Sequence, residues 1–110
     1  MASPKQRTYR GRTIPPVIEG VRVAVASRLL ARMRGLLGRD SLPEGEGLLI
    51  LRCNTIHTCF MRFTIDAVFL DADFRPVKTV RAIPPGRLCV WGGFRARHVL
   101  EIQARRRGGG

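Results

Sequence analysis

A chain of 110 residues with 20 Lys and Arg against 8 Asp and Glu has room for one domain with one core, not two. Its apolar fraction of 45% excludes a wholly disordered chain. The longest stretch free of Asp, Glu, Lys and Arg, Cys53–Met61, is far too short for a membrane-spanning helix.

The charge is unevenly placed. Four units of the net +12 lie in residues 1–16, on Lys5, Arg7, Arg10 and Arg12, and three on Arg105, Arg106 and Arg107, which leaves +5 on residues 17–104. Basic arms of this kind contact polyanions through phosphate groups without reading sequence. Three cysteines, Cys53, Cys59 and Cys89, are an odd number and argue against a closed disulfide framework. No apolar leader follows the start, so a reducing cytoplasm is the expected compartment. Nothing in the pattern signals an oligomer, and a monomer is expected.

In chain order, residues 1–16 read as a flexible basic arm closed by Pro15 and Pro16. Val17–Ala26 reads as a strand with Val21, Val23 and Val25 on one face, and Gly20 marks a turn or bulge within it. Ser27 is suited to cap a helix over residues 28–37, whose Leu29, Leu30, Met33, Leu36 and Leu37 share one face and which Gly38 ends. A turn-rich link, Leu42–Gly47, leads to three strand candidates: Leu48–Cys53, Ile56–Met61 and Ile65–Leu70. Asp71-Ala72-Asp73 is a turn, and Arg75–Ala82 returns as a hairpin partner. Pro84-Pro85-Gly86 breaks the chain, Leu88–Trp91 is a short strand ended by Gly92-Gly93, and His98–Ala104 is the last strand. Residues 105–110 form an Arg/Gly tail. The expected fold is mainly β, of the α+β type: a sandwich or barrel-like domain over 17–104 with one early helix.

Residues 53–71 read Cys-Asn-Thr-Ile-His-Thr-Cys-Phe-Met-Arg-Phe-Thr-Ile-Asp-Ala-Val-Phe-Leu-Asp. The series Ile-His-Thr, Phe-Met-Arg-Phe, Ile-Asp and Phe-Leu-Asp at these spacings resembles the signature of the domain of unknown function 192 family, a set of small, mostly prokaryotic proteins. Arg34-Gly35-Leu36-Leu37-Gly38-Arg39, Gly45-Glu46-Gly47 with Leu48 and Leu49, the Pro84-Pro85 pair and Val99-Leu100-Glu101 fall in the family's order. The resemblance covers about 17–104. It implies a mainly β fold and brings no established activity or cofactor. The chain departs from it at the end, where Arg105-Arg106-Arg107 and three glycines stand in place of the family's short helix and Gly-Asp close. Many relatives begin with an export signal, and none is expected here.

The residues that carry chemistry cluster in the same segment. Asp66 sits among Ile65, Ala67, Val68 and Phe69, where an unpartnered carboxylate is costly. It either forms a structural ion pair, with Arg62, His57 or Arg39, or accepts hydrogen bonds at a turn, or walls a small polar pocket with His57, Thr58 and Arg62 beside it and Glu46 at the rim. Cys53, His57 and Cys59 share sequence parity and would face one way on an unbroken strand. A metal site needs three or four ligands, however, and only Cys89 and His98 lie elsewhere, so no metal and no cofactor are expected. Phe60, Phe63, Phe69 and Trp91 read as core. Trp91-Gly92-Gly93-Phe94 with Arg95 and Arg97 is the one place where aromatic and Arg residues interleave.

Three functions stay open. The first is noncatalytic binding of a small polar or anionic ligand, or of a protein partner, near His57, Arg62 and Asp66. The second is nonspecific nucleic-acid association through the basic arms. The third is an enzyme or metal site built on His57, Asp66 and Cys59.

Overall fold

Local alternation of apolar residues sets most of the strands, and pairing between distant segments sets their order. The computed structural model describes residues 7–26, 41–42, 44–59 and 61–104. Two short hairpins come first. β1 (Thr8–Tyr9) meets β2 (Arg12–Thr13) around Arg10 and Gly11, and β3 (Val17–Ile18) meets β4 (Val21–Ala26) around Glu19 and Gly20. Both residues of each turn have positive φ, 51° and 77° in the first and 53° and 78° in the second. This is the backbone of the two-residue turn whose twist matches a hairpin. The single strand expected over Val17–Ala26 is therefore two strands, folded back at Gly20.

The remaining strands are β5 (Glu46–Ile50), β6 (Thr55–Ile56), β7 (Ile65–Leu70), β8 (Pro76–Ile83), β9 (Val90–Trp91) and β10 (His98–Gln103). Six strands form one mixed sheet in the order β3-β4-β5-β10-β7-β8. Every neighbouring pair is antiparallel except β4 and β5, which run parallel. A parallel pair needs a long crossover, and the link between β4 and β5 spans residues 27–45. The helix expected over 28–37 lies in this link, outside the described residues. The sheet is a curled half-barrel with β3 and β8 as its two edges, rather than a closed barrel.

Two of the inner strands, β7 and β10, are buried on both faces, which explains their near-continuous apolar sequences. On one face Ile50, Ile65, Ala67, Phe69 and Val99 pack against Ile56, Met61, Phe63 and Val90 from the β6–β9 side. On the other, Leu49, Val68, Leu70 and Leu100 pack against Ile14, Ile18 and Phe74. Residues 7–16, expected within the flexible arm, thus join the body. Ile14 is buried, Arg12 pairs with Asp73, and the Tyr9 ring meets His98 edge-on.

The strand expected over Ile56–Met61 shortens to Thr55–Ile56 because Thr58 turns its backbone elsewhere. Its N–H donates to the Arg87 carbonyl at 2.9 Å, and its own carbonyl accepts from Gly86 at 2.9 Å and Met61 at 3.2 Å. Its buried hydroxyl donates to the Pro84 carbonyl at 2.7 Å and accepts from the Arg87 N–H at 2.9 Å. Thr58→Val, which keeps the shape and removes the hydroxyl, is expected to destabilise the protein by about 1–2 kcal/mol. Urea denaturation should show a lower midpoint with an unchanged slope.

Candidate functional site

The N-terminal hairpins cover only part of the second sheet face. Ile14 and Ile18 lie over Leu49, Leu70 and Leu100, and the chain turns away at Glu19-Gly20. What remains is a concavity of about 470 Å³, floored by Val68 and Ile102 and edged by Asp66, Thr79, Arg81 and Glu19. Val21, Ala82, Gln103 and Ala104 complete its wall.

Asp66 reaches this hollow because the β7–β8 ladder slips between Ile65 and Ala67. The slip leaves the Ala82 N–H without a ladder partner, and the Asp66 carboxylate accepts it at 2.8 Å. Ala82 is left-handed, with φ of 55°, as a residue at such a bulge can be. One carboxylate oxygen thus fixes the bulge. The other accepts no hydrogen bond from a described residue.

Of the other residues expected around Asp66, none among those described lines this hollow. Thr58 is buried and holds the Pro84–Arg87 turn. His57 and Arg62 are exposed. Glu46, on β5, pairs with Arg22 at 3.3 Å, across the parallel β4–β5 ladder. Arg39 lies outside the described residues. The shared face expected for Cys53, His57 and Cys59 does not form, because the strand ends at Ile56. The Cys53 thiol donates to the Thr55 carbonyl at 3.1 Å, and the Cys59 thiol lies 3.7 Å from the Arg87 carbonyl. Among the described residues no group of three His, Cys, Asp or Glu side chains is placed to hold a metal ion, and no helix is long and apolar enough to cross a membrane.

Two buried ionisable groups stand apart from that set. His98 is stacked on Phe74, with ring centroids 4.8 Å apart, and its Nδ1 accepts the Arg52 N–H at 3.0 Å. Burial lowers its pKa, against a smaller upward pull from Asp71. The ring is a neutral acceptor that fixes Arg52 in its left-handed conformation, φ 57°. Glu101 points to the first face, opposite Leu48 and Ala67, and burial pushes its carboxyl up to about 7. The signal for Glu101 was the one that singled out Asp66: an acid inside an apolar run, here Val99-Leu100-Glu101-Ile102.

The solved structures similar to this one share its fold. A protein of unknown function from Novosphingobium aromaticivorans is 23% identical, with a TM-score of 0.69, and the match covers 94% of this chain and 82% of that one. A candidate transcription regulator from Sinorhizobium meliloti is 20% identical, with a TM-score of 0.68, over 76% of this chain and 69% of the other. Among curated proteins none matches. The model of the domain of unknown function 192 family, an uncharacterised group, matches residues 13–107. With nearly the whole described body inside that match, the chain belongs to the domain of unknown function 192 family.

Proposed function

We propose that the chain is a noncatalytic binding domain whose ligand site is the concavity around Asp66. The observation that carries this reading is the Asp66 carboxylate, with one oxygen fixed by the Ala82 N–H and the other open to a hollow with an apolar floor. Convergent polar groups over an apolar floor are the usual makeup of a small-molecule site. Asp66 and Glu19 favour a ligand with an ammonium or other donor group, and Arg81 favours a carboxylate or phosphate on the same molecule. The expected ligand is therefore small, polar and doubly functional, of the size of an amino acid or a short peptide end.

Asp66→Asn separates binding from folding, because the amide oxygen can still accept the Ala82 N–H. The variant is expected to stay within about 0.5 kcal/mol of the parent in denaturant. In a thermal-shift titration with a panel of free amino acids and diamines, the parent midpoint should rise with at least one probe and that of Asp66→Asn should not. A parent that ignores the whole panel, or a variant that responds equally, would remove this reading.

A further inference from the structure

Between Phe74 and Leu100 the chain carries six cations, Arg75, Lys78, Arg81, Arg87, Arg95 and Arg97, and no carboxylate. The same segment leaves large apolar side chains in water: Phe94 is 88% exposed, Leu88 83% and Trp91 43%. Trp91, expected in the core, is therefore a surface residue. Strand alternation is the reason, since Val90 of the two-residue β9 is buried and its neighbour must face outward.

The fold holds the aromatic pair in place. A Cβ on Gly92 would lie 2.2 Å from Phe69 Cδ1, so the backbone here rests directly on the core. Gly93 then turns with φ of 94° and brings Phe94 back beside Trp91. The two rings meet edge to face, with centroids 4.7 Å apart and planes at 87°. Lys78 Nζ donates to the Trp91 carbonyl at 2.9 Å, and the Arg97 guanidinium donates to the carbonyls of Phe94 at 2.9 Å and Ala96 at 3.0 Å.

Beside this pair lies a hollow of about 360 Å³ lined by Arg52, Cys53, Asn54, Ala96 and Arg97. It is tied to the aromatic turn by the Gly92 N–H, which donates to the Asn54 carbonyl at 2.8 Å. The acids nearby are already engaged. Asp71 and Asp73 share a shallow depression with Arg95 and Arg97, but Asp71 accepts the N–H groups of Asp73 and Arg75, and Asp73 pairs with Arg12.

We propose that this surface binds single-stranded nucleic acid without reading its sequence, with bases stacking on Trp91 and Phe94 and a phosphate held between Arg52 and Arg97. Aromatic faces next to a cationic track are what such binding requires, because every base offers a π-face and every linkage a charge. Arg also suits the phosphate better than Lys, through its planar pair of donors. The hollow beside the aromatic pair shares no lining residue with the Asp66 concavity, so the proposal does not rest on the ligand site proposed there.

Trp91 is the protein's single tryptophan, so its fluorescence reports directly on stacking. The full chain is titrated with an oligothymidine of about ten nucleotides, and in parallel with inorganic polyphosphate and with polyglutamate. The oligonucleotide should quench Trp91, and its affinity should fall steeply with salt. Phe94→Ala should weaken it roughly ten-fold or more with no change in thermal midpoint, since the ring is in water. Arg52→Gln should weaken it and flatten the salt dependence. Polyphosphate should leave Trp91 unquenched, because it has charge but no bases. The proposal is overturned if the oligonucleotide does not bind or does not quench. It is equally overturned if Phe94→Ala binds like the parent while deletion of residues 1–6 and 105–110 abolishes binding. Equal quenching by polyglutamate would make the surface a dock for acidic proteins instead.

Discussion

Glu101→Gln is expected to stabilise the protein above neutral pH by about 3 kcal/mol, an unusual direction for a change at a buried site. Glu101 lies on β10 between Ala67 and Leu48, and no described residue gives its carboxyl a hydrogen bond or an ion pair. Desolvation raises its pKa from 4.5 to about 7. With its folded value above its unfolded one, the group binds more protons in the folded state across that window. Stability is therefore full below about 4.5 and declines as pH rises towards 7, after which the cost of the buried charge is complete. A gap of that size at about 1.4 kcal/mol per unit gives the figure above. Gln has nearly the same shape and cannot ionise. Denaturation midpoints of parent and variant should diverge from acid to neutral pH, with the variant higher at pH above about 7. A variant that is less stable throughout, or a difference that does not move with pH, would show that the carboxylate has an unseen partner.

The opposite outcome is expected at the aromatic turn. Gly92→Ala should destabilise the protein by about 3 kcal/mol, at the upper end for one added methyl group. The new Cβ would meet Phe69 Cδ1 at 2.2 Å, Phe69 Cγ at 2.4 Å and Ala96 Cβ at 2.8 Å. Phe69 cannot step aside, because it is fully buried at the centre of the first sheet face, and Ala96 is buried behind it. The clash can be tested by making room. Phe69→Leu alone should cost stability, yet the double variant should lose less than the sum of the two single changes. Simple additivity in urea would mean that Gly92 serves only backbone conformation.

Much of the strand pattern could be read from the chain. β7, β8 and β10 follow from residues 65–70, 75–82 and 98–104, where apolar runs are bounded by Asp71-Ala72-Asp73, Pro84-Pro85-Gly86 and Gly92-Gly93. These signals are local, since each depends on side chains a few positions apart. The hairpin at Glu19-Gly20 was harder, because valines on both sides of one glycine suit either a bulge or a full reversal. The shortening of β6 was harder still, because what stops it is Thr58 binding a turn 26 and more residues away.

The site divides in the same way. The sequence marked Asp66 as an acid in apolar surroundings, and its family motif placed it within a known group, because composition and spacing are properties of the chain alone. Which neighbours Asp66 would have was decided by the sheet. A one-residue slip in the β7–β8 ladder, bonds from Thr58 to Pro84 and Arg87, and the length of β6 gave Asp66 a hollow with Thr79 and Arg81 rather than with His57 and Arg62. Side chains on a strand alternate at every residue, so one slip or one early strand end changes which face a group occupies. The sequence by itself therefore determined which residues carry charge, form strands and belong to the family. Only the tertiary structure, through long-range pairing that fixes register, decided which of them meet.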